Sequence, residues 1–407
     1  MKILHTADWH LGKRLENFNR HAEQVTVLRE ICDIADKEAV DVILIAGDLY
    51  DTFNPPIEST ELFYTMCKRL THNGLRPVIA IAGNHDSPER IEAPDPLARA
   101  CGIVFSGFPH TIITPFELET GVAVTRSDEG FIELKLPQYD YALRLFLTPY
   151  ANEYRLKLDL RDKPEENLRQ MLTEHWSKLS EKYADTEGVN ICVAHLYVME
   201  KDGIAPDEPD EERPIYVGGA GAIHTECFPA TFQYVALGHL HRQQVISGVP
   251  CPIVYCGSPL AYSFAEENQD KYVMLIDATP AKTVVYKRIK LMTPRLLLKG
   301  RFDNMESALA WLATVPNALI QLTMVSDTYL KVVDIRELEE AHAGIVKPII
   351  PEIGINGVDT EGSKIIDLTA NIRDLFADYF KSKNKGQAAN EEILHLFDEM
   401  LSSEDDG

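Results

Sequence analysis

Five short apolar segments of this 407-residue chain each end in side chains that bind metal ions. The segments are residues 2–7, 42–47, 78–82, 191–194 and 234–238. Their length and continuous apolar character indicate buried strands. The residues that follow them are, in chain order, Asp8 and His10; Asp48; Asn84; His195; and His239 and His241. If the five strands share one parallel sheet, these side chains converge at its carboxyl edge, where α/β sheets bind ligands. The pattern therefore predicts an α/β fold with a site for two metal ions.

The five endings differ in how specific they are. A lone Asp-x-His or Gly-Asp pair is common by chance, and a lone histidine such as His195 is more often a core residue. Gly83-Asn84-His85-Asp86 and Gly238-His239-Leu240-His241 are much more specific. Five such endings in one chain argue against coincidence.

The ligand types indicate which metal the site prefers. Oxygen and imidazole donors without cysteine favour Mn²⁺, Fe²⁺ or Mg²⁺ over structural zinc, and the many imidazoles favour Mn²⁺. Asp48 stands alone at the end of its strand and is the natural bridging ligand. Two ions about 3.5–4 Å apart clamp the attacking and leaving oxygens of a displacement at phosphorus.

His85 is the candidate catalytic residue. If Asn84 binds metal, its neighbour points toward the substrate, where an imidazole could protonate the leaving alkoxide or stabilise charge on the phosphorane oxygens. Asp51 is the candidate for orienting the His85 ring. Asp86 is the competitor, although its carboxylate could instead cap the following helix.

Composition limits the remaining function classes. The net charge of −23 argues against wholesale nucleic-acid binding, although much of the acidity is segregated in residues 207–212 and 402–407. Seven cysteines without a CxxC pair indicate a reducing compartment. We find no signal peptide and no apolar run of about 20 residues, so we expect a cytoplasmic protein.

The chain divides into three predicted parts. Residues 1–290 contain the motifs, and alternating runs in 103–147 predict a second sheet. A small β-α-β-α-β domain is predicted over 291–352, with elements at 296–302, 306–313, 318–325, 334–343 and 345–350. The polar stretch 199–222 is predicted to be a surface loop, either functional or disordered. Residues 353–407 are a linker and helical tail, with a helix near 371–379.

The last helical segment, 391–401, has an apolar face that must be covered. Docking on its own protein and binding of a partner helix are equally compatible with the pattern. The residues of this face are Ile393, Leu394, Leu396, Phe397, Met400 and Leu401.

The ordered motifs Asp-x-His, Gly-Asp, Gly-Asn-His, His and Gly-His-x-His resemble the calcineurin-type metallophosphoesterase superfamily. Within it, the stretches at 4–12, 47–52, 83–87 and 255–260 resemble the SbcD family, the nuclease subunits of bacterial double-strand-break repair complexes. The resemblance implies a two-sheet sandwich flanked by helices, followed by a capping domain and a C-terminal helical tail.

The resemblance also implies an activity and a ligand assignment. One Mn²⁺ would be held by Asp8, His10, Asp48 and His241, the other by Asp48, Asn84, His195 and His239, with His85 catalytic. The implied activity is 3′-5′ exonuclease and single-strand or hairpin endonuclease action on DNA. The implied assembly is a homodimer, formed through helices near 57–70 and 90–101, within a heterotetramer whose SMC-like ATPase, SbcC, binds the C-terminal helix.

Basic residues near the motifs are candidates for phosphate contacts, although any one of them could be a solvated charge. They are Lys13, Arg14, Arg20 and Arg90.

Three other functions use the same features. A phosphoprotein phosphatase prefers Gly-Asn-His-Glu and an arginine after the second aspartate, where this chain has Asp86 and Thr52. A small-nucleotide phosphodiesterase has little use for the capping domain and apolar tail. A DNA-end tether with secondary nuclease activity would keep its role without His85.

Overall fold

The computed structural model describes residues 1–16, 18–156, 164–203, 205–206, 221–326, 330–352, 372–384 and 387–404. The chain forms two units. One consists of Met1–Leu15 and Asn19–Pro294, and the other of Glu16–Phe18 and Arg295–Gly407. No helix in the described part is both long and apolar enough to span a bilayer.

The larger unit contains a six-stranded and an eight-stranded sheet. The first has the strand order Val285–Lys290, Tyr272–Asp277, Lys2–Thr6, Val42–Ala46, Val78–Ile81 and Ile103–Ser106. The second has the order Gln244–Ser247, Ile253–Tyr255, Tyr234–Gly238, Val189–His195, Leu143–Thr148, Phe131–Lys135, Ala123–Asp128 and Phe116–Glu117. In both sheets the four strands nearest the predicted site residues run parallel, and the remaining strands pair antiparallel.

Alternating side chains in each strand separate two apolar layers. In the strand Val42–Ala46, Val42 and Leu44 join the core between the sheets, whereas Ile43 and Ile45 pack under the helices on the outer face. This is the two-residue period of a strand buried on both faces. The predicted two-sheet sandwich is therefore confirmed.

Helices cover the outer faces of both sheets. The helices of the larger unit are His21–Lys37, Ile57–Leu70, Pro88–Glu92, Asp95–Ala100, Glu153–Leu156 and Pro164–Tyr183. The helical segment predicted near 90–101 is thus two short helices. Pro94 lies between them and Pro96 lies in the first turn of the second, and neither proline can continue a helix from the residues before it. The first residues of the run 103–147 also join the first sheet, and not the second as predicted.

The smaller unit has the predicted order of elements. Its parallel strands Leu297–Phe302, Leu319–Val325 and Ile350–Glu352 alternate with the helices Met305–Thr314 and Val332–Ala341. The last strand begins at Ile350 and not at the predicted Ile345, which makes only an isolated bridge to Ile320.

The chain ends in the helices Ile372–Lys383 and Glu391–Glu404. The Phe397 ring stacks on Phe376 with centroids 4.0 Å apart, and Ile393 and Leu394 are half-buried. Leu396 is 62% exposed. The apolar face is therefore covered in part by the preceding helix. The side chains of Met400 and Leu401, most of the loop 199–222 and the segment 353–371 lie outside the described part of the chain.

Candidate metal centre

The seven predicted ligands come from the strand ends of two sheets. Asp8, His10, Asp48 and Asn84 follow strands of the six-stranded sheet, while His195, His239 and His241 end or follow strands of the eight-stranded sheet. The five strands thus belong to two sheets, as the predicted two-sheet sandwich requires, and the single shared sheet considered as a condition does not occur.

Hydrogen bonds between the sheets nevertheless bring these ends together. The ring nitrogen Nδ1 of His195 lies 2.8 Å from the Ala46 carbonyl oxygen, and the His239 amide donates to Asp8 Oδ1 at 2.9 Å. A hydrogen on the Nδ1 of His195 would leave its Nε2 as the acceptor that faces the site. The first sheet thus orients ligands carried by the second.

One group of donor atoms lies around His10. Its Nε2 is 3.0 Å from Nε2 of His241 and 3.4 Å from Asp48 Oδ2. Carboxylate oxygens of Asp8 and Asp48 and a ring nitrogen of His10 all lie within 4.8 Å of one another. Two imidazole nitrogens facing each other in this way suit a shared cation.

A second group of donor atoms lies around Asn84. Its Oδ1 is 2.9 Å from His195 Nε2 and 3.1 Å from His239 Nδ1. The same His195 nitrogen is 3.5 Å from Asp48 Oδ2. Asp48 Oδ2 therefore lies between the two groups, at nearly equal distances from His10 and His195.

The backbone at these positions is strained. Asp8, His10, Asp48 and His239 have φ of 54°, 42°, 47° and 108°, in the left-handed region that residues with a side chain rarely adopt. Such conformations cost about 1–3 kcal/mol each and cluster at functional sites.

The donor groups fit a cation. Asp8 Oδ2 is buried without a hydrogen-bond partner among the described residues, and burial raises the pKa of Asp8 to about 7. A cation would stabilise this carboxylate. Burial also lowers the pKa values of His10 and His239 to about 3, which keeps both rings neutral, the form that binds metals. Burial opposes ionisation of Asp48, but His195 and His10 hold its pKa well below the usual range.

His85 is next to this cluster and half-buried. Its amide donates to Asp48 Oδ1 at 2.9 Å, and its ring lies edge-on to His10 with centroids 4.9 Å apart. Its Nδ1 is 2.8 Å from the main-chain carbonyl oxygen of Asp51. Asp51, the predicted orienting partner, contacts the ring through its main-chain carbonyl, and its orienting role stays a prediction. The carboxylate instead pairs with Lys13 Nζ at 3.0 Å and lies 3.5 Å from His10 Nδ1.

Asp86 fills neither of the roles considered for it. Its carboxylate accepts hydrogen bonds from the amides of Gly83, Leu49 and Tyr50 at 2.8–3.0 Å. It therefore ties the loop after one strand to the loop after the next. The following helix is capped by Ser87 instead.

The four basic candidates for phosphate contact have different surroundings. Arg20 is 0% exposed and donates to the Glu23 carboxylate and the Ala261 carbonyl, so it cannot reach DNA and the prediction was wrong. Arg14 and Arg90 are exposed, Arg90 donating to Asn54 Oδ1 at 2.8 Å. Lys13 is half-buried beside Asp51.

Sequence reasoning missed a buried carboxylate behind His241. Glu266 Oε1 lies 3.6 Å from His241 Nδ1, and the same carboxylate is paired with the buried Lys271 ammonium. Outer-shell carboxylates of this kind orient ligating histidines. Ser263 and Glu266 form a capping box, a recognisable local signal, but that signal indicates a helix start rather than a site.

The chain is similar to known proteins over its whole length. Residues 1–243 match the calcineurin-like phosphoesterase family. The SbcD subunit of the nuclease SbcCD from Bacillus subtilis is 35% identical over 414 residues, covering 99% of this chain and 98% of that protein. The corresponding protein of Escherichia coli K12, also named as an SbcCD nuclease subunit, is 27% identical over 349 residues, covering 81% of this chain and 79% of that protein. A dimetal phosphatase structure from Danio rerio aligns with a TM-score of 0.40 and 13% identity, over 72% of this chain and 99% of that one. That structural likeness is too low to define a function.

The match to the Bacillus relative is the stronger evidence, because it extends through the smaller unit to the C-terminal segment. It confirms the family that the motifs predict. The chain belongs to the SbcD family of metal-dependent nucleases, within the calcineurin-like phosphoesterases.

Proposed function

We propose that this chain is a Mn²⁺-dependent DNA nuclease, with exonuclease activity of 3′-5′ polarity and endonuclease activity on single strands and hairpins. The observation that supports a two-ion site most directly is the position of Asp48 Oδ2, 3.4 Å from a His10 nitrogen and 3.5 Å from a His195 nitrogen. One oxygen at these distances from both donor groups suits a bridging ligand.

The ligands divide into two sets around that bridge. The first set is Asp8, His10, Asp48 and His241, and the second is Asp48, Asn84, His195 and His239. Bound divalent ions would supply Lewis-acid activation of the phosphate and an ionised water nucleophile. The protein holds the ligands through the strained loops and the hydrogen bonds between the sheets.

His85 is proposed as the group that protonates the leaving oxygen or stabilises charge on the phosphoryl oxygens. The contact between its Nδ1 and the Asp51 carbonyl sets the ring orientation and leaves Nε2 for the substrate. The Asp51 carboxylate lies next to His10 Nδ1 and the Lys13 ammonium, and would orient the His10 ring. Lys13, Arg14 and Arg90 remain candidates for DNA contacts.

The proposal includes a partner, because the relatives are named as members of SbcCD complexes. The chain would bind an SMC-like ATPase, SbcC, through the helix Glu391–Glu404, on which Leu396 is exposed. It would dimerise through the helices Ile57–Leu70 and Asp95–Ala100, where Ile57 and Leu97 are exposed. The complex would act in the cytoplasm on DNA ends, hairpins and double-strand breaks.

The smaller unit is proposed to cap or position the substrate rather than to react. In the described part of the chain, the clusters of side chains that could hold a metal ion lie in the larger unit. The division into residues 1–290, 291–352 and 353–407 remains our proposal for the functional parts.

A nuclease assay on linear and hairpin-ended duplexes, with Mn²⁺, Mg²⁺ or chelator, tests the proposal. We expect Mn²⁺-dependent degradation of both substrates, and stimulation on hairpins by the ATPase with ATP. Hydrolysis of small cyclic or dinucleotide diesters without cleavage of DNA would replace it with a small-nucleotide phosphodiesterase. Loss of DNA-end processing in cells carrying His85→Ala separates an enzyme from a tether, because a tether would keep its role.

A further inference from the structure

Arg155 is a buried arginine that contacts the turn carrying two of the proposed site residues. Its side chain is 3% exposed. One guanidinium nitrogen, Nη1, donates to the Gly83 carbonyl at 2.8 Å, and Nη2 donates to the Asp86 carbonyl at 2.7 Å. These carbonyls bracket Asn84 and His85. A single planar group therefore spans the turn from one side to the other.

Arg155 is itself held by the second sheet. It lies in the helix Glu153–Leu156, which follows the strand Leu143–Thr148, and its amide donates to Asn152 Oδ1 at 2.9 Å. Its guanidinium carbon lies 5.2 Å from the centre of the Tyr150 ring, within cation–π distance. The arginine thus joins the turn of the first sheet to the segment that follows a strand of the second.

Tyr150 extends this support toward the ligands. Its amide donates to the Ala82 carbonyl at 2.9 Å, just before the turn. Its ring centroid lies 6.4 Å from the ring centroids of both His195 and His239. Arg155 and Tyr150 therefore pack against the part of the site that Asn84 and these two histidines form.

The turn has little room for displacement. A Cβ atom on Gly83 would lie 2.1 Å from Asp48 Oδ1, so the turn backbone is pressed against the proposed bridging ligand. Any shift of the turn would move the Asn84 amide oxygen and the His85 ring relative to Asp48. Charge-assisted hydrogen bonds are roughly twice as strong as neutral ones, and an arginine presents two donors in a fixed fork that a lysine ammonium cannot copy.

We propose that Arg155 is a positioning residue that fixes Asn84 and His85 together, and so sets the affinity of the cation site formed by Asn84, His195 and His239. This inference rests on the proposed ligand set. It adds a requirement that none of the metal motifs contains, a guanidinium that bonds the two carbonyls of the turn.

The test compares Arg155→Lys with a matched variant, Arg76→Lys. Arg76 is also buried and also donates to two main-chain carbonyls, those of Val40 and Leu70, but these lie where a strand begins and a helix ends, away from the proposed ligands. Calorimetry and electron paramagnetic resonance with Mn²⁺ alone would count the bound ions and detect their magnetic coupling.

For Arg155→Lys we expect affinity for one of two Mn²⁺ ions to fall roughly 10–100-fold, as for other outer-shell losses, with loss of the coupled-ion signal. The kcat for DNA cleavage should fall while KM stays within about twofold, because the site is misplaced and the DNA surface is unchanged. Arg76→Lys should lower thermal stability to a similar extent and keep both ions. Millimolar guanidinium should partly restore coupled Mn²⁺ binding to Arg155→Ala.

Two results would overturn the inference. One is Arg155→Lys binding two coupled Mn²⁺ ions with the parent's affinity, and the other is Arg76→Lys losing the second ion equally. Asn84→Ala, measured alongside, separates this failure from failure of the proposed function. If Asn84→Ala loses the second ion and Arg155→Lys does not, only the role of Arg155 is wrong. If Asn84→Ala keeps both ions, the ligand set is wrong.

Discussion

Replacing His85 with alanine tests whether its ring takes part in the chemistry. His85 Nδ1 contacts the Asp51 carbonyl oxygen at 2.8 Å. This contact leaves the other ring nitrogen, Nε2, for the substrate. A ring nitrogen of His85 lies within 4.8 Å of ligand atoms of His10 and Asp51, but His85 is not one of the proposed ligands of either ion. We therefore expect His85→Ala to keep both ions and to lose only the contribution of the imidazole.

The size of that loss follows from the proposed role. General acid catalysis contributes about 10²–10⁴-fold. At 1.36 kcal/mol per factor of ten, this corresponds to about 3–5 kcal/mol of transition-state stabilisation. We expect kcat for DNA to fall by that factor, with KM and Mn²⁺ affinity unchanged.

The leaving group distinguishes proton donation from charge stabilisation. An alkoxide is a poor leaving group whose departure from DNA is accelerated by a proton donor, whereas nitrophenolate leaves bis(p-nitrophenyl) phosphate without a proton. His85→Ala should therefore impair DNA cleavage at least about tenfold more than hydrolysis of the nitrophenyl ester. His72→Ala, which changes an exposed histidine, is the control. Equal losses on both substrates would assign His85 to charge stabilisation, and an unchanged rate on DNA would refute any chemical role.

Four further predictions concern other parts of the chain. Arg20→Met should destabilise the fold by about 3 kcal/mol in denaturant unfolding, because a buried ion pair is broken, and should leave the salt dependence of DNA binding unchanged. Lys13→Met should leave the stability of the fold unchanged and should reduce the salt dependence of DNA binding, because a contact with phosphate is lost. A lower salt dependence in Arg20→Met together with a lower stability in Lys13→Met would contradict the surroundings assigned to the two residues. Gly83→Ala should abolish binding of both Mn²⁺ ions in calorimetry, since the new methyl group would overlap Asp48, and normal binding would show that the turn can move. Leu396→Glu should weaken association with the ATPase at least about tenfold without loss of helicity by circular dichroism, because the side chain is 62% exposed, and unaltered co-purification would exclude this face as the interface.

The sequence predicted site residues best where they lie next to one another along the chain. Gly83-Asn84-His85-Asp86 and Gly238-His239-Leu240-His241 follow strands directly, so a strand pattern alone places their side chains at a sheet edge. The structure brings all seven predicted ligands together. Ligand atoms of six of them lie 2.9–3.5 Å from a neighbouring ligand atom, and a carboxylate oxygen of Asp8 lies within 4.8 Å of ligand atoms of His10 and Asp48. Their roles as ligands remain predictions for the metal-binding experiments.

Other features depended on contacts that no pattern records. The division of the strands between two sheets is set by pairing, and apolar runs do not specify pairing partners. Arg20 is close to the motifs in sequence but is buried by tertiary packing. Its charge alone therefore led to the wrong prediction of a phosphate contact. His85 contacts the main-chain carbonyl of Asp51, a kind of contact that side-chain motifs do not record. Arg155 and Glu266 contact residues far from them along the chain.

The measurement that tests the central claim most directly is anomalous scattering from Mn²⁺-soaked crystals. The account predicts two peaks about 3.5–4 Å apart, with Asp48 Oδ2 between them and with His10 and His195 on opposite sides. A single peak on one side of Asp48, or paired peaks away from these strand ends, would contradict it.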